Sequence, residues 1–93
     1  MSQLAATVAE SRRPVASFFV HARAEPGVLP RVLELFAKRG LVPSAFHSRT
    51  FGPEDADLTI DIQMPGLDRG TVDYIAAGMR QIASVEAVLT ARG

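Results

Sequence analysis

Residues 22–40, ARAEPGVLPRVLELFAKRG, join two patterns of different period across a short break. Upstream, Val15–Arg23 carries apolar side chains at every second position, Ala16, Phe18, Val20 and Ala22. That is the period of a strand with one buried face. Downstream, Leu29, Val32, Leu33 and Phe36 recur at the three-to-four spacing of an amphipathic helix. Between the two, Pro26 fixes its own φ and pushes Glu25 out of the α region, so a turn must separate them. The helix is expected over about Gly27–Arg39. Pro30 falls in its first turn, where a missing N–H costs nothing, Lys38 and Arg39 would complement the dipole in its last turn, and Gly40 ends it. Free amides at such a helix start, beside a residue without a Cβ, suit a small anion such as an amino-acid carboxylate. The same residues also read as a plain chain reversal that starts a helix.

C-terminal to this unit the chain repeats the theme. Ser44–Phe51 reads as a weaker strand with Phe46 as its core candidate, and Phe51-Gly52-Pro53-Glu54-Asp55 has hairpin-turn composition. Leu58, Ile60, Ile62 and Met64 then alternate with Asp57, Thr59, Asp61 and Gln63, a strand with one apolar and one polar face. A second helix is expected over roughly Asp68–Ala83, with Val72, Ile75, Met79 and Ile82 on one stripe and Gly78 inside it. Val85–Thr90 is the last strand. The order β-α-β-β-α-β predicts an α+β, ferredoxin-like sandwich: a four-stranded antiparallel sheet, first and third strands central, both helices on one face. Residues 14–92 are read as one domain and residues 1–13 as a flexible tail.

Composition narrows the function. In 93 residues, 47% hydrophobic, one ordinary core is expected rather than disorder. The formal net charge is zero, which gives no electrostatic reason to expect nucleic acid or an anionic membrane. The absence of cysteine excludes disulfides and thiolate metal sites and fits a reducing, cytoplasmic setting. No apolar run approaches a membrane span, and MSQLAATVAESRR lacks the basic start and apolar stretch of a signal peptide, so neither is expected. A domain of this size without staples often gains stability by pairing with a second copy.

Catalytic chemistry is not evident. His21 and His47 have no metal-ligand spacing, and a zinc site would have to recruit Asp or Glu across strands, so no metal and no cofactor are expected. Asp57 and Asp61 share one strand face and are read as solvated. The serines lack nucleophile-elbow glycines, and no phosphate-binding glycine motif is present. Phe19 is the one aromatic expected on the open sheet face, too few for a base-stacking platform. An acylphosphatase-like enzyme would need an arginine-bearing phosphate loop after the first strand, where this chain has Glu25.

The run Glu25-Pro26-Gly27-Val28-Leu29-Pro30-Arg31-Val32-Leu33-Glu34-Leu35-Phe36-Ala37-Lys38-Arg39-Gly40 resembles the signature that opens ACT domains, and the likeness extends over roughly residues 15–91. Within that superfamily the chain is most similar to the short, single-domain form of the small regulatory subunit of acetolactate synthase. The resemblance implies a non-catalytic module that forms a homodimer, binds an amino acid between subunits and modulates a large catalytic synthase subunit. Carried over by position, the ligand site would comprise Glu25, Gly27, Val28 and Leu29 of one subunit with Leu41, Val42 and Pro43 of the other. Ala24 and Val42 stand where valine-sensing relatives carry asparagines, which removes two amide hydrogen-bonding groups from the implied site. A free-standing amino-acid sensor with no enzyme partner is the alternative.

Overall fold

The computed structural model describes residues 14–92. The tail expected over residues 1–13 lies outside the described residues. The elements are β1 (Val15–Arg23), α1 (Val28–Ala37), β2 (Ala45–Phe51), β3 (Asp57–Pro65), α2 (Arg69–Arg80) and β4 (Val85–Arg92). A 3-10 turn at Pro53–Asp55 lies in the β2–β3 hairpin. The sheet order is β2-β3-β1-β4, antiparallel throughout, so β1 and β3 are central as the βαββαβ order predicts.

Register follows from the apolar pattern. Ala16, Phe18, Val20 and Ala22 of β1 stand opposite Met64, Ile62, Ile60 and Leu58 of β3, and all eight are buried. A slip of one residue would put Ser17, Phe19, His21 and Arg23 against the helices, so one burial pattern specifies the pairing. The helices close this layer with Val28, Val32 and Phe36 from α1 and Val72, Ile75, Ala76 and Met79 from α2. The rings of Phe18 and Phe36 meet edge to face, 5.5 Å apart at 86°.

The ends of the helices are built differently. Asp68 caps α2, its carboxylate accepting from the Thr71 amide at 2.7 Å. The α1 N-cap is Gly27, which has no side chain to do this. At the other end of α1, Gly40 has φ +70°, the Leu41 amide donates to the Phe36 carbonyl and the Gly40 amide to that of Ala37, both at 3.0 Å. This is the Schellman arrangement, and it turns Leu41 back onto the core.

Three details of α1 differ from the sequence pattern. Regular helix stops at Ala37, so Lys38 and Arg39 lie past the last turn. Arg39 instead stands over the Tyr74 ring of α2, 4.2 Å from its centroid. Leu33 faces outward at 40% exposure, and Leu35 packs against the core in its place. Leu35 shares the phase of the buried Val28, Val32 and Phe36, and its seat lies against α2: a Cβ at Gly78 would lie 3.0 Å from Leu35 Cδ2, so the missing side chain leaves that room.

Candidate functional site at the first strand–helix turn

The turn between β1 and α1 is held by backbone bonds. The Glu25 amide donates to the Arg23 carbonyl at 2.8 Å, and the Val28 amide to the Glu25 carbonyl at 3.1 Å. The Ala24 amide donates to the Ala56 carbonyl, tying the turn to the β2–β3 hairpin. The amides of Gly27 and Leu29 are left without a backbone acceptor among the described residues. These two N–H groups lie at the positive end of the α1 dipole, and they are what a carboxylate could accept from.

The side chains around them have distinct roles. Glu25 is not a free group: Ser84 Oγ donates to its Oε1, and Arg23 Nη2 lies 3.7 Å from its Oε2. The Arg23 amide also donates to the Ser84 carbonyl at 2.9 Å, so the head of β4 and the turn are stitched together twice. Gly27 sits at φ −79°, a conformation open to any residue, so its value at the turn is lack of bulk and not a left-handed backbone. Val28, expected to line the site, points its side chain into the core. Leu29 and Leu41 pack at the margin of the core, whereas Val42 is 81% exposed and Pro43 half-buried. Within one subunit the turn thus offers two amides without a backbone acceptor, a carboxylate already engaged by Ser84 and Arg23, and an apolar margin.

A second concave region occupies the sheet face away from the helices. It is a groove of about 560 Å³, lined by Phe19, His21, His47, Arg49, Asp61 and Leu89 among others. Arg23 and Asp57 are register partners, yet Arg23 turns to Glu25 while Asp57 Oδ1 meets His21 Nε2 at 3.1 Å. Asp57 and Asp61 are four residues apart along β3, about 13 Å at strand rise, too far to act as a carboxylate pair. Asp61 Oδ1 is buried and has no hydrogen-bond partner among the described residues. No helix among the described residues is long and apolar enough to cross a membrane.

Comparison with solved structures places this architecture among known folds. The C-terminal domain of the MgtC protein from Mycobacterium tuberculosis superposes with a TM-score of 0.70 at 15% identity, over 87% of this chain and 88% of that one. The ACT domain of the GTP pyrophosphokinase of Chlorobium tepidum gives 0.69 at 10% identity, over 83% and 96%. The regulatory subunit of aspartate kinase from Thermus thermophilus gives 0.63 at 11% identity, over 85% of this chain and 50% of that one. At these identities the likeness is one of fold. No curated protein sequence matches the chain. The model of the ACT-like domain matches residues 9–92, nearly the whole sequence, and with the βαββαβ topology and the Pro-Gly turn it shows that the chain belongs to the ACT-like domain family.

Proposed function

We propose that this protein is a non-catalytic regulatory module that pairs with a second copy and binds a small amino acid at the β1–α1 turn. The observation that carries the reading is the start of α1, where, among the described residues, the Gly27 and Leu29 amides have no backbone acceptor and no side chain caps the helix. An amino-acid carboxylate would accept from these groups, and its side chain would lie against Leu29. In the pairing we propose, Leu41, Val42 and Pro43 of the second copy close the site. The high exposure of Val42 in the single chain supports that arrangement. Both outer strands of the sheet, β2 and β4, are edges that a second copy could cover.

The partner we propose is a large, thiamine-diphosphate-dependent catalytic subunit, with this chain acting as the small subunit of an acetolactate synthase. The support is the PGVLPRVLELFAKRG run together with the ACT-like family match over residues 9–92. Reconstitution tests it. The chain should copurify with a synthase large subunit and change its turnover, and unchanged turnover would exclude this partner. Calorimetry of the isolated chain with the twenty amino acids separates the second reading. Tight binding without any effect on a synthase would identify a free-standing sensor.

A further inference from the structure

His21, Asp57 and Glu86 come from three different strands, β1, β3 and β4, yet their ligand atoms all lie within 4.8 Å of one another. Strand alternation alone would not bring Glu86 there. Val88 of β4 is buried on the helix side, and two residues earlier Glu86 would share that face. The β1–β4 ladder shifts at this point: His21 stands opposite Ala87 and Ala22 opposite Val85, which leaves Glu86 as an extra, bulged residue. The bulge turns its carboxylate across the sheet toward His21, to 3.5 Å. Asp57 is set from the other side. A Cβ at Gly52 would lie 2.9 Å from Asp57 Oδ2, so the absence of that carbon makes room for the carboxylate while Oδ1 faces His21 Nε2.

We propose that this triad is a binding site for a divalent first-row transition cation, best suited to zinc, with one imidazole nitrogen and two carboxylate oxygens as protein ligands. Ligands about 2.1 Å from such a metal are about 3.4 Å apart at tetrahedral angles and about 3.0 Å at octahedral ones. The observed 3.1 and 3.5 Å separations from His21 Nε2 match those edges. The third edge closes by adjustment of the half-exposed Glu86 side chain. With neutral imidazole the set carries two negative charges, which a dication neutralises. Arg23, the cation nearest in register to Asp57, is drawn off toward Glu25. Three protein ligands leave a position for water or an exchangeable small ligand, as in open metal sites. The bound ion would join three strands on the face away from the helices. It is a separate site from the amides of the β1–α1 turn and does not rest on the function proposed there.

The test is direct because the chain has no cysteine and two histidines. Untagged full-length protein, stripped with a chelator, is titrated with Co²⁺ by absorbance and with Zn²⁺ by calorimetry. One ion per chain is expected, with a melting temperature that rises with zinc concentration. His21→Ala should abolish binding and Glu86→Gln should weaken it about tenfold or more, while His47→Ala should leave it unchanged. Glu86 is half-exposed, so E86Q should keep the wild-type circular dichroism and remain a fair test if H21A does not fold. Absence of binding to wild type, or binding lost in H47A but kept in E86Q, would overturn the proposal.

Discussion

Gly78 of α2 lies so close to Leu35 of α1 that a Cβ built on it would stand 3.0 Å from Leu35 Cδ2. Glycine within a helix costs about 1 kcal/mol relative to alanine, and the close Leu35 contact offsets only part of that cost. Leu35 is only half-buried, and its terminal methyl can withdraw by a few tenths of an ångström. Gly78→Ala should therefore gain stability, by up to about 1 kcal/mol. Gly78→Val should lose it, because the branched side chain both displaces Leu35 and lowers helix propensity. Thermal unfolding of the two variants decides the matter, and a large destabilisation by alanine would mean that the helix–helix seat is rigid.

Asp68 makes the α2 cap sensitive to acid. The Thr71 amide hydrogen bond holds its carboxyl below the ordinary value of 3.8. A carboxylate with a depressed folded-state pKa stabilises the fold above its unfolded value, and that contribution disappears as pH falls through the folded value. Asp68→Asn keeps a good capping acceptor but does not titrate. The stability difference between wild type and D68N should thus be constant near neutral pH and shift against wild type below about pH 4. Asp68→Ala should be less stable than both at neutral pH. Urea titrations at several pH values report this, and a pH-independent difference between wild type and D68N would contradict it.

Phe36 and Leu33 separate what burial decides from what hydrophobicity suggests. Phe36 is fully buried against Phe18, so Phe36→Ala should cost about 3–5 kcal/mol through lost burial and a cavity. Leu33 is exposed at the outer face of α1, and Leu33→Gln should change the stability of the single domain by about 0.5 kcal/mol or less. Chemical denaturation of both variants checks the pair. A Leu33 variant as damaging as the Phe36 one would mean that this face is covered in solution.

The same pair shows where the sequence is legible. β1 and β3 alternate cleanly because each has one face on the helices and one open, so their pairing and the central position of both follow from period alone. The inner face of α1 is harder, since Leu33 and Leu35 are both apolar and two residues apart. Which one turns inward depends on the phase of the stripe: with Val28, Val32 and Phe36 inward, i+3 and i+7 spacing brings Leu35 with them and leaves Leu33 outside, and the gap at Gly78 gives Leu35 its seat.

The open sheet face was legible in membership but not in geometry. Alternation correctly puts His21, Asp57 and Asp61 on it, whereas proximity needs the register between strands. Glu86 required one step more. In Val85-Glu86-Ala87-Val88, the inward residues are three apart, which a regular strand cannot place on one face. That spacing is the local trace of the bulge, and it was available in the sequence. At the turn, the burial of Val28 and the restraint of Glu25 by Ser84 come from packing between distant segments, so pattern alone does not reveal them.

Gly27→Asp offers the sharpest separation of fold from function at the turn. The backbone there has φ −79° and ψ −8°, which aspartate adopts without strain. A Cβ would find the Arg31 guanidinium at 3.7 Å, an ordinary contact and a favourable one for a carboxylate. With helical φ and ψ, unlike the extended backbone of the Asp68 cap, an aspartate there would not cap the helix but would set a negative charge at the positive end of α1. The variant should accordingly be at least as stable as wild type. Its carboxylate would occupy the place proposed for the ligand's carboxylate and repel it, so amino-acid binding should fall by at least about two orders of magnitude, the equivalent of roughly 3 kcal/mol. Calorimetry and a melting curve on the same preparation read both effects. Unchanged affinity in a stably folded G27D protein would place the ligand away from the turn, whatever the partner.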